Sequence, residues 1–305
     1  MFRCILFSCF FLAFAFHLSA QHKAVSGSGR PSPKRWLQAQ ENSQLRPLRL
    51  LTWNLYLLPG LAPCPGRVKR AKAIGSVLRQ SKYDVLCLQE TFHRKARQAL
   101  IDSLRDVFPY FIGPIHPDRP FRTSSGLMIF SRTPFDSLGV IAYKQNRRSD
   151  VIAQKGAVLV RGTHRGKGYQ LCVTHAQSEN EPVIRRHQFR QLYQDLLLPH
   201  RREGELQLLC GDMNVPSHDT LELRAMLNEL QVFDCRQLTD SIYSYTPGQN
   251  LLAGKGNPFT LDYFLVNTPN RTATPGSKVV VFQKSWSKKH SDLSDHYAVE
   301  WEVLP

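Results

Sequence analysis

Short apolar runs recur from Leu48 to Val303, and almost every one ends in a side chain that can take a cation or a phosphate oxygen. The stretch Leu206–Pro216 (LQLLCGDMNVP) carries the pattern in full. Leu208, Leu209 and Cys210 read as a buried strand, and Gly211 frees the backbone to turn. Asp212 and Asn214 follow two residues apart. On an extended chain both side chains share a face. There a carboxylate serves charge or metal, and an amide donates to an oxyanion. The same residues also suit a turn that merely caps the strand. Repetition weighs against capping: the strand ends carry Asn54, Glu90, His175, Asp212 with Asn214, and Asp262, and Asp295–His296 precedes the last run. Acids gathered this way raise one another's pKa unless a cation intervenes.

The runs Leu48–Asn54, Asp84–Glu90, Gly126–Ser131, Lys155–Arg161, Tyr169–Thr174, Phe259–Val266 and Tyr297–Val303 are predicted strands. The fourth and fifth form a hairpin across the glycine-rich Gly162–Gly168 connection. Helical spacing places helices over Val68, Ala71, Ile74 and Leu78, over Ala96, Leu100 and Leu104, and over Leu221–Leu230. A further helix opens at Glu181–Pro182, with proline in its first turn, and runs to about Leu198. Strands outnumber helices and do not alternate with them. That predicts an α/β (α+β) chain of two packed mixed sheets with helices outside, rather than a doubly wound parallel sheet. Leu55–Pro63 (LYLLPGLAP) reads as an apolar loop tucked under the core or, if exposed, as a membrane-touching surface.

With 305 residues, 42% hydrophobic and 10% aromatic, the chain is globular rather than generally disordered. Its formal net charge of +16 implies attraction to polyanions, without choosing between nucleic acid and an anionic membrane. Residues 1–20 carry Arg3, the apolar run Ile5–Phe16 and small residues up to Ala20, the pattern of a signal peptide cut near Ala20 and too short to span a bilayer. Removing it takes away Arg3 alone among charged groups, so +16 becomes +15, and the product is expected to be secreted or periplasmic. Residues 21–46 read as a flexible basic linker and 47–305 as the catalytic domain. Cys4 and Cys9 leave with the signal. Cys87, Cys172 and Cys210 lie in predicted core strands, where a thiol acts as a small hydrophobe. No CxxC pattern points to zinc, and no disulfide is specified.

The motifs resemble the endonuclease/exonuclease/phosphatase superfamily: LTWN (51–54), LCLQE (86–90), SGLMIFSR (125–132), THAQ (174–177), GDMN (211–214), LDYFLV (261–266) and SDH (294–296), in that family's order. NLYLLP (54–59), RAKAIG (70–75), DVIAQKG (150–156) and the terminal SDHYAVE are similar to the neutral sphingomyelinases within it. The resemblance implies a DNase I-like four-layered sandwich with one metal-dependent site at the sheet edges. It implies Glu90 as the principal Mg²⁺ carboxylate, with Asn54 beside it, Asp295 as an indirect or water-mediated metal contact, and Mn²⁺ or Co²⁺ as substitutes. His296 resembles the general base, a task its ordinary pKa near 6.5 suits. Asp212 resembles the residue that orients the nucleophile or assists the leaving group, and Asn214 a donor to a phosphoryl oxygen. His175 looks like the imidazole that stabilises phosphoryl charge. Asp262 would orient one of the two histidines. Lys155 is either a phosphate contact or a solvated lysine. Phe282 and Trp286, among Lys278, Lys284, Lys288 and Lys289, either anchor the protein to membranes, as a hairpin does in bacterial sphingomyelinases, or pack on the sheet. The implied activity is hydrolysis of sphingomyelin or a related sphingophospholipid at a bilayer by a monomer. A secreted nuclease of the same fold and a non-catalytic membrane-binding module are the alternatives; nucleic acid is the less favoured partner.

Overall fold

The computed structural model describes residues 46–60, 62–237, 242–267 and 276–305, so the expected signal peptide and most of the linker lie outside the described residues. Strands β1 (Leu48–Asn54), β2 (Val85–Gln89), β3 (Tyr110–Ile112) and β4 (Met128–Ser131) join β11 (Lys278–Val280) and β14 (Ala298–Val303) in one sheet, ordered β11-β14-β1-β2-β4-β3. The second sheet is ordered β5-β6-β7-β8-β10-β9. It comprises β5 (Phe135–Ala142), β6 (Gly156–His164), β7 (Lys167–His175), β8 (Leu206–Asp212), β9 (Phe233–Asp234) and β10 (Asp262–Asn267). A small hairpin pairs β12 (Gln283–Ser287) with β13 (His290–Asp292).

Because successive strand side chains alternate faces, each sheet builds two cores. Leu48, Leu50, Cys87, Ile129, Val299 and Trp301 of the first sheet meet Val158, Leu171, Val173, Leu208, Cys210 and Phe264 of the second. The alternate residues Leu51, Trp53, Leu86, Leu88 and Met128 face outward onto helices α1 (Arg67–Arg79) and α2 (Arg94–Leu104). Leu159, Cys172, Leu209 and Leu265 pack against α3 (Pro182–Leu192) and α4 (Thr220–Leu230). Helices, sheet, sheet and helices make the four layers expected. A π-helical turn, Tyr193–Leu197, prolongs α3 to His200, slightly past the expected end. His93 Nδ1 caps α2 by accepting from Ala96 N at 3.2 Å, and Asp219 does the same for α4 from Glu222 N at 2.9 Å.

Several expectations need correcting. β10 begins at Asp262 rather than Phe259, and β4 at Met128 rather than Gly126. The edge strand β5, absent from the expected strands, mixes half-buried and exposed residues and so carries no continuous apolar run. Gly211 lies inside β8 instead of turning the chain: with φ +138°, a Cβ there would sit 1.9 Å from Thr174 O. The five described cysteines are all free thiols. In the Leu55–Pro63 loop Leu55 and Leu57 are fully buried, so its first residues tuck under the core. Among the described residues no helix is long and apolar enough to cross a membrane.

Candidate active site

Strand register gathers the polar ends. β1 and β2 run parallel with Asn54 beside Gln89, so Asn54 and Glu90 leave the same sheet edge. β7 and β8 run parallel with His175 opposite Asp212, and antiparallel β10 places Asp262 opposite Asp212. β14 enters beside the end of β1, and Ser294 Oγ donates to Asn54 O at 2.6 Å while Trp53 Nε1 donates to His296 O at 2.9 Å. Parallel strands deliver their C-terminal ends and antiparallel partners their N-terminal ends. Residues 54 to 296 therefore meet at one rim.

His296 Nδ1 lies 2.7 Å from Asp262 Oδ2, so Asp262 orients His296 and not His175. His296 Nε2 faces Asp212 Oδ2 at 4.0 Å. His175 Nε2 lies 3.5 Å from Asp212 Oδ2, 4.0 Å from Glu90 Oε1 and 3.0 Å from Lys155 Nζ. Asn54 Nδ2 donates to Asp212 Oδ2 at 3.0 Å. Asn214 sits just past β8 with φ +52°; its backbone N–H donates to Asp212 Oδ1 at 2.9 Å and its Nδ2 to Ala176 O at 3.1 Å. The segment is thus a strand-end turn and part of the site at once. Glu90 also adopts a left-handed backbone, φ +55°, a conformation that costs a non-glycine residue energy and clusters at functional sites.

Lys155 is almost wholly buried, and its three donors meet Asp150 Oδ2 at 2.9 Å, Ala176 O at 2.9 Å and His175 Nε2. An ammonium has three N–H groups, so none remains for a phosphate. This departs from both expectations for Lys155, a phosphate contact and a solvated lysine: it is buried and braces His175. Asp150, unassigned from sequence, accepts from Ser178 N and Oγ as well. Its signal was the i, i+5 spacing to Lys155 inside DVIAQKG. The buried Arg70 was also unassigned, although it lies in RAKAIG. It donates to Leu55 O at 2.9 Å and Leu293 O at 2.8 Å, tying the loop after Asn54 to the segment before Asp295.

Phe282 and Trp286 are half-buried. Phe282 packs on Trp53 at 5.3 Å between centroids, and Trp286 stacks on His290 and donates from Nε1 to Asp292 O. Trp286 presses so closely on Gly66, at the start of α1, that a Cβ there would lie 2.2 Å from its ring. Both side chains thus pack on Trp53, on the β12–β13 hairpin and on α1, as in the second of the two expected readings.

Burial followed by the neighbouring Asp295 charge pushes the Glu90 carboxyl up to about 7. Burial and then Asp262 push Asp212 up to about 6, and burial raises Asp295. Burial would lower His296, but Asp262, Asp212 and Asp295 together hold it well above its ordinary value. Burial, with Lys155 and His296, drives His175 well below, so it is a neutral ring at pH 7. Carboxylates crowded to this extent suit a divalent cation, which supplies the missing positive charge. The ligand atoms of Asp212, Asp262 and His296 lie within 4.8 Å of one another, and Asp262 Oδ1 is buried without a hydrogen-bond partner. That trio differs from the expected Glu90, Asn54 and Asp295, which adjoin it. Asp262 and His296 already bond to each other, whereas the Glu90 and Asp295 carboxylates repel. A cation relieves more strain at the second pair.

The sequence profile described as the Endonuclease/Exonuclease/phosphatase family matches residues 51–296. The chain is 25% identical to a sphingomyelinase C of Leptospira interrogans, over 98% of this chain and 60% of that protein. It spans 46% of a second Leptospira sphingomyelinase C. A crystal structure of sphingomyelinase C from Streptomyces griseocarneus superposes with a TM-score of 0.72 at 25% identity, covering 85% of this chain and 99% of that one. A Staphylococcus aureus beta toxin variant with bound magnesium ions has the same fold, with a TM-score of 0.72 at 23% identity over 85% of this chain and 100% of that one.

Proposed function

Because the chain belongs to the endonuclease/exonuclease/phosphatase family, we propose that it is an exported Mg²⁺-dependent phosphodiesterase of the phospholipase C type. It hydrolyses sphingomyelin or a related sphingophospholipid to ceramide and phosphocholine. The observation that carries a diesterase reading is the Asp262–His296 pair at 2.7 Å, facing Asp212, His175 and Glu90 across one rim. The lipid substrate is supported by the names of the relatives and by the sphingomyelinase-like segments NLYLLP and DVIAQKG.

With Nδ1 bound to Asp262, His296 presents Nε2 to the attacking water, and it would take the water's proton once a bound cation offsets the Asp212 and Asp295 charge that otherwise keeps the ring protonated. Water oxygen bonds to phosphorus as the bond to the ceramide oxygen breaks. Asp212, raised to about 6 by burial and by Asp262, orients the water or returns a proton to the leaving alkoxide. Asn214 keeps one amide N–H beyond its bond to Ala176 for a phosphoryl oxygen. His175, a neutral ring that accepts from Lys155 at Nε2, lines the same pocket, and an oxyanion donor such as the Asn214 amide is worth ~10²–10³ in rate. Glu90, Asn54 and Asp295 would hold the Mg²⁺, with Mn²⁺ or Co²⁺ as substitutes, and the cation supplies Lewis-acid stabilisation of phosphoryl charge.

The purified protein, incubated with sphingomyelin vesicles and separately with duplex DNA, each with Mg²⁺ and with chelator, tests the reading. Phosphocholine release that chelator stops is the expected result. DNA nicking without lipid cleavage would make it a nuclease, a role the +16 charge suits. Binding without turnover would make it a non-catalytic membrane module.

A further inference from the structure

Phe121 is 96% exposed, more than any other large apolar side chain among the described residues. It stands at the tip of a tight turn in which Arg119 N donates to Arg122 O at 2.9 Å and Arg122 N returns the bond to Arg119 O at 3.1 Å. Its φ of +61°, directly after Pro120, is a conformation that usually calls for glycine. A phenylalanine there is both strained and solvated, and such strain clusters at functional sites.

The turn belongs to the rim of the site. At one end Thr91, next to Glu90, donates from N and Oγ1 to Gly126 O at 3.0 and 2.9 Å. Nearer the tip, Thr123 N donates to Ile152 O at 3.0 Å, and Gln154, next to Lys155, donates to Thr123 O at 2.8 Å and Pro117 O at 3.0 Å. That pairing places Val151 and Ile152 in the same neighbourhood, 51% and 54% exposed. Arg119 and Arg122 flank Phe121 in the turn, and Arg147, whose carbonyl accepts from Asp150 N next to Val151, is exposed as well. Apolar side chains within a collar of arginines complement a surface with anionic headgroups outside and acyl chains beneath.

We propose that the Phe121 turn, with Val151 and Ile152, docks the protein on an anionic lipid bilayer and sets the catalytic rim against it. Phe121 and Ile152 enter the headgroup–acyl boundary while Arg119, Arg122 and Arg147 pair with lipid anions. The inference rests on the lipid-substrate reading for its purpose, but binding is measured without hydrolysis.

Co-sedimentation of the full chain with phosphatidylcholine–phosphatidylserine vesicles that contain no sphingomyelin tests it. Phe121→Ser is expected to weaken partitioning about tenfold, from the loss of one buried aromatic side chain. In Phe121→Trp, binding is expected to persist, with fluorescence quenched by brominated acyl chains beyond the quenching seen in the wild type. Absence of wild-type binding, equal partitioning of Phe121→Ser, or no added quenching in Phe121→Trp would each overturn the proposal. A wild type that binds these vesicles through Phe121 yet leaves sphingomyelin intact in mixed vesicles would overturn the catalytic reading and uphold the docking one.

Discussion

Asp262 sets the state of His296 in two ways. Its 2.7 Å contact fixes the ring's orientation, and its charge opposes the burial that would otherwise lower the imidazolium pKa. In Asp262→Asn the ring loses that support, so the His296 pKa falls. NMR titration of the metal-free variant is expected to show that fall, and steady-state kinetics a kcat lower by about 10²–10⁴-fold. An unmoved His296 titration would remove Asp262 from the role. At this scale the sequence was legible for residue type and poorly legible for pairing. Asp262 and the two histidines were identifiable, but which histidine it holds depends on how β14 enters beside β1. Lys155 was misjudged because its three partners, Asp150, Ala176 and His175, come from three separate segments.

The elements explain why the site forms at all. β7 and β8 approach so closely at Gly211 that only a missing Cβ lets Thr174 O pass, and this contact sets His175 opposite Asp212. Gly211→Ala is expected to lose about 1–3 kcal/mol from backbone strain and overpacking, read as a lower urea midpoint with unchanged slope. Wild-type stability in that variant would mean that the close approach is not required. Buried central strands such as β1, β2 and β8 were legible as continuous apolar runs. The edges were not: β3, β5 and β9 are short or half exposed, β11 and β12 mix a lysine with apolar residues, and β13 has no apolar residue, so none carries a clean period of two. The β12–β13 pair shows a related limit, because lysine-flanked aromatics read alike whether they anchor to a membrane or fill a groove over α1.

Across the whole molecule, two sheets close on a shared core and leave one rim where buried acids exceed their positive partners. In the metal-free protein Glu90 and Asp212 have folded pKa values of about 7 and about 6, raised from 4.5 and 3.8. A raised carboxylate favours the fold below its unfolded pKa and loses that contribution as pH rises through the folded value. The metal-free protein therefore loses stability between about pH 4 and 7, and a cation that binds only the folded form restores it. The rise in Tm on adding Mg²⁺ is expected to be small at pH 5.5 and larger at pH 7.5, by scanning calorimetry. A rise independent of pH would place the ion elsewhere.

Phosphocholine release from sphingomyelin vesicles by wild type and Glu90→Gln, each across a Mg²⁺ titration, probes most directly whether these distant residues act on one cation. The wild type is expected to saturate with Mg²⁺ and stop with chelator. Glu90→Gln is expected to fall by at least about 10²-fold and to need far more Mg²⁺ for what remains. A Glu90→Gln protein with the wild-type rate and the wild-type Mg²⁺ midpoint would contradict the account.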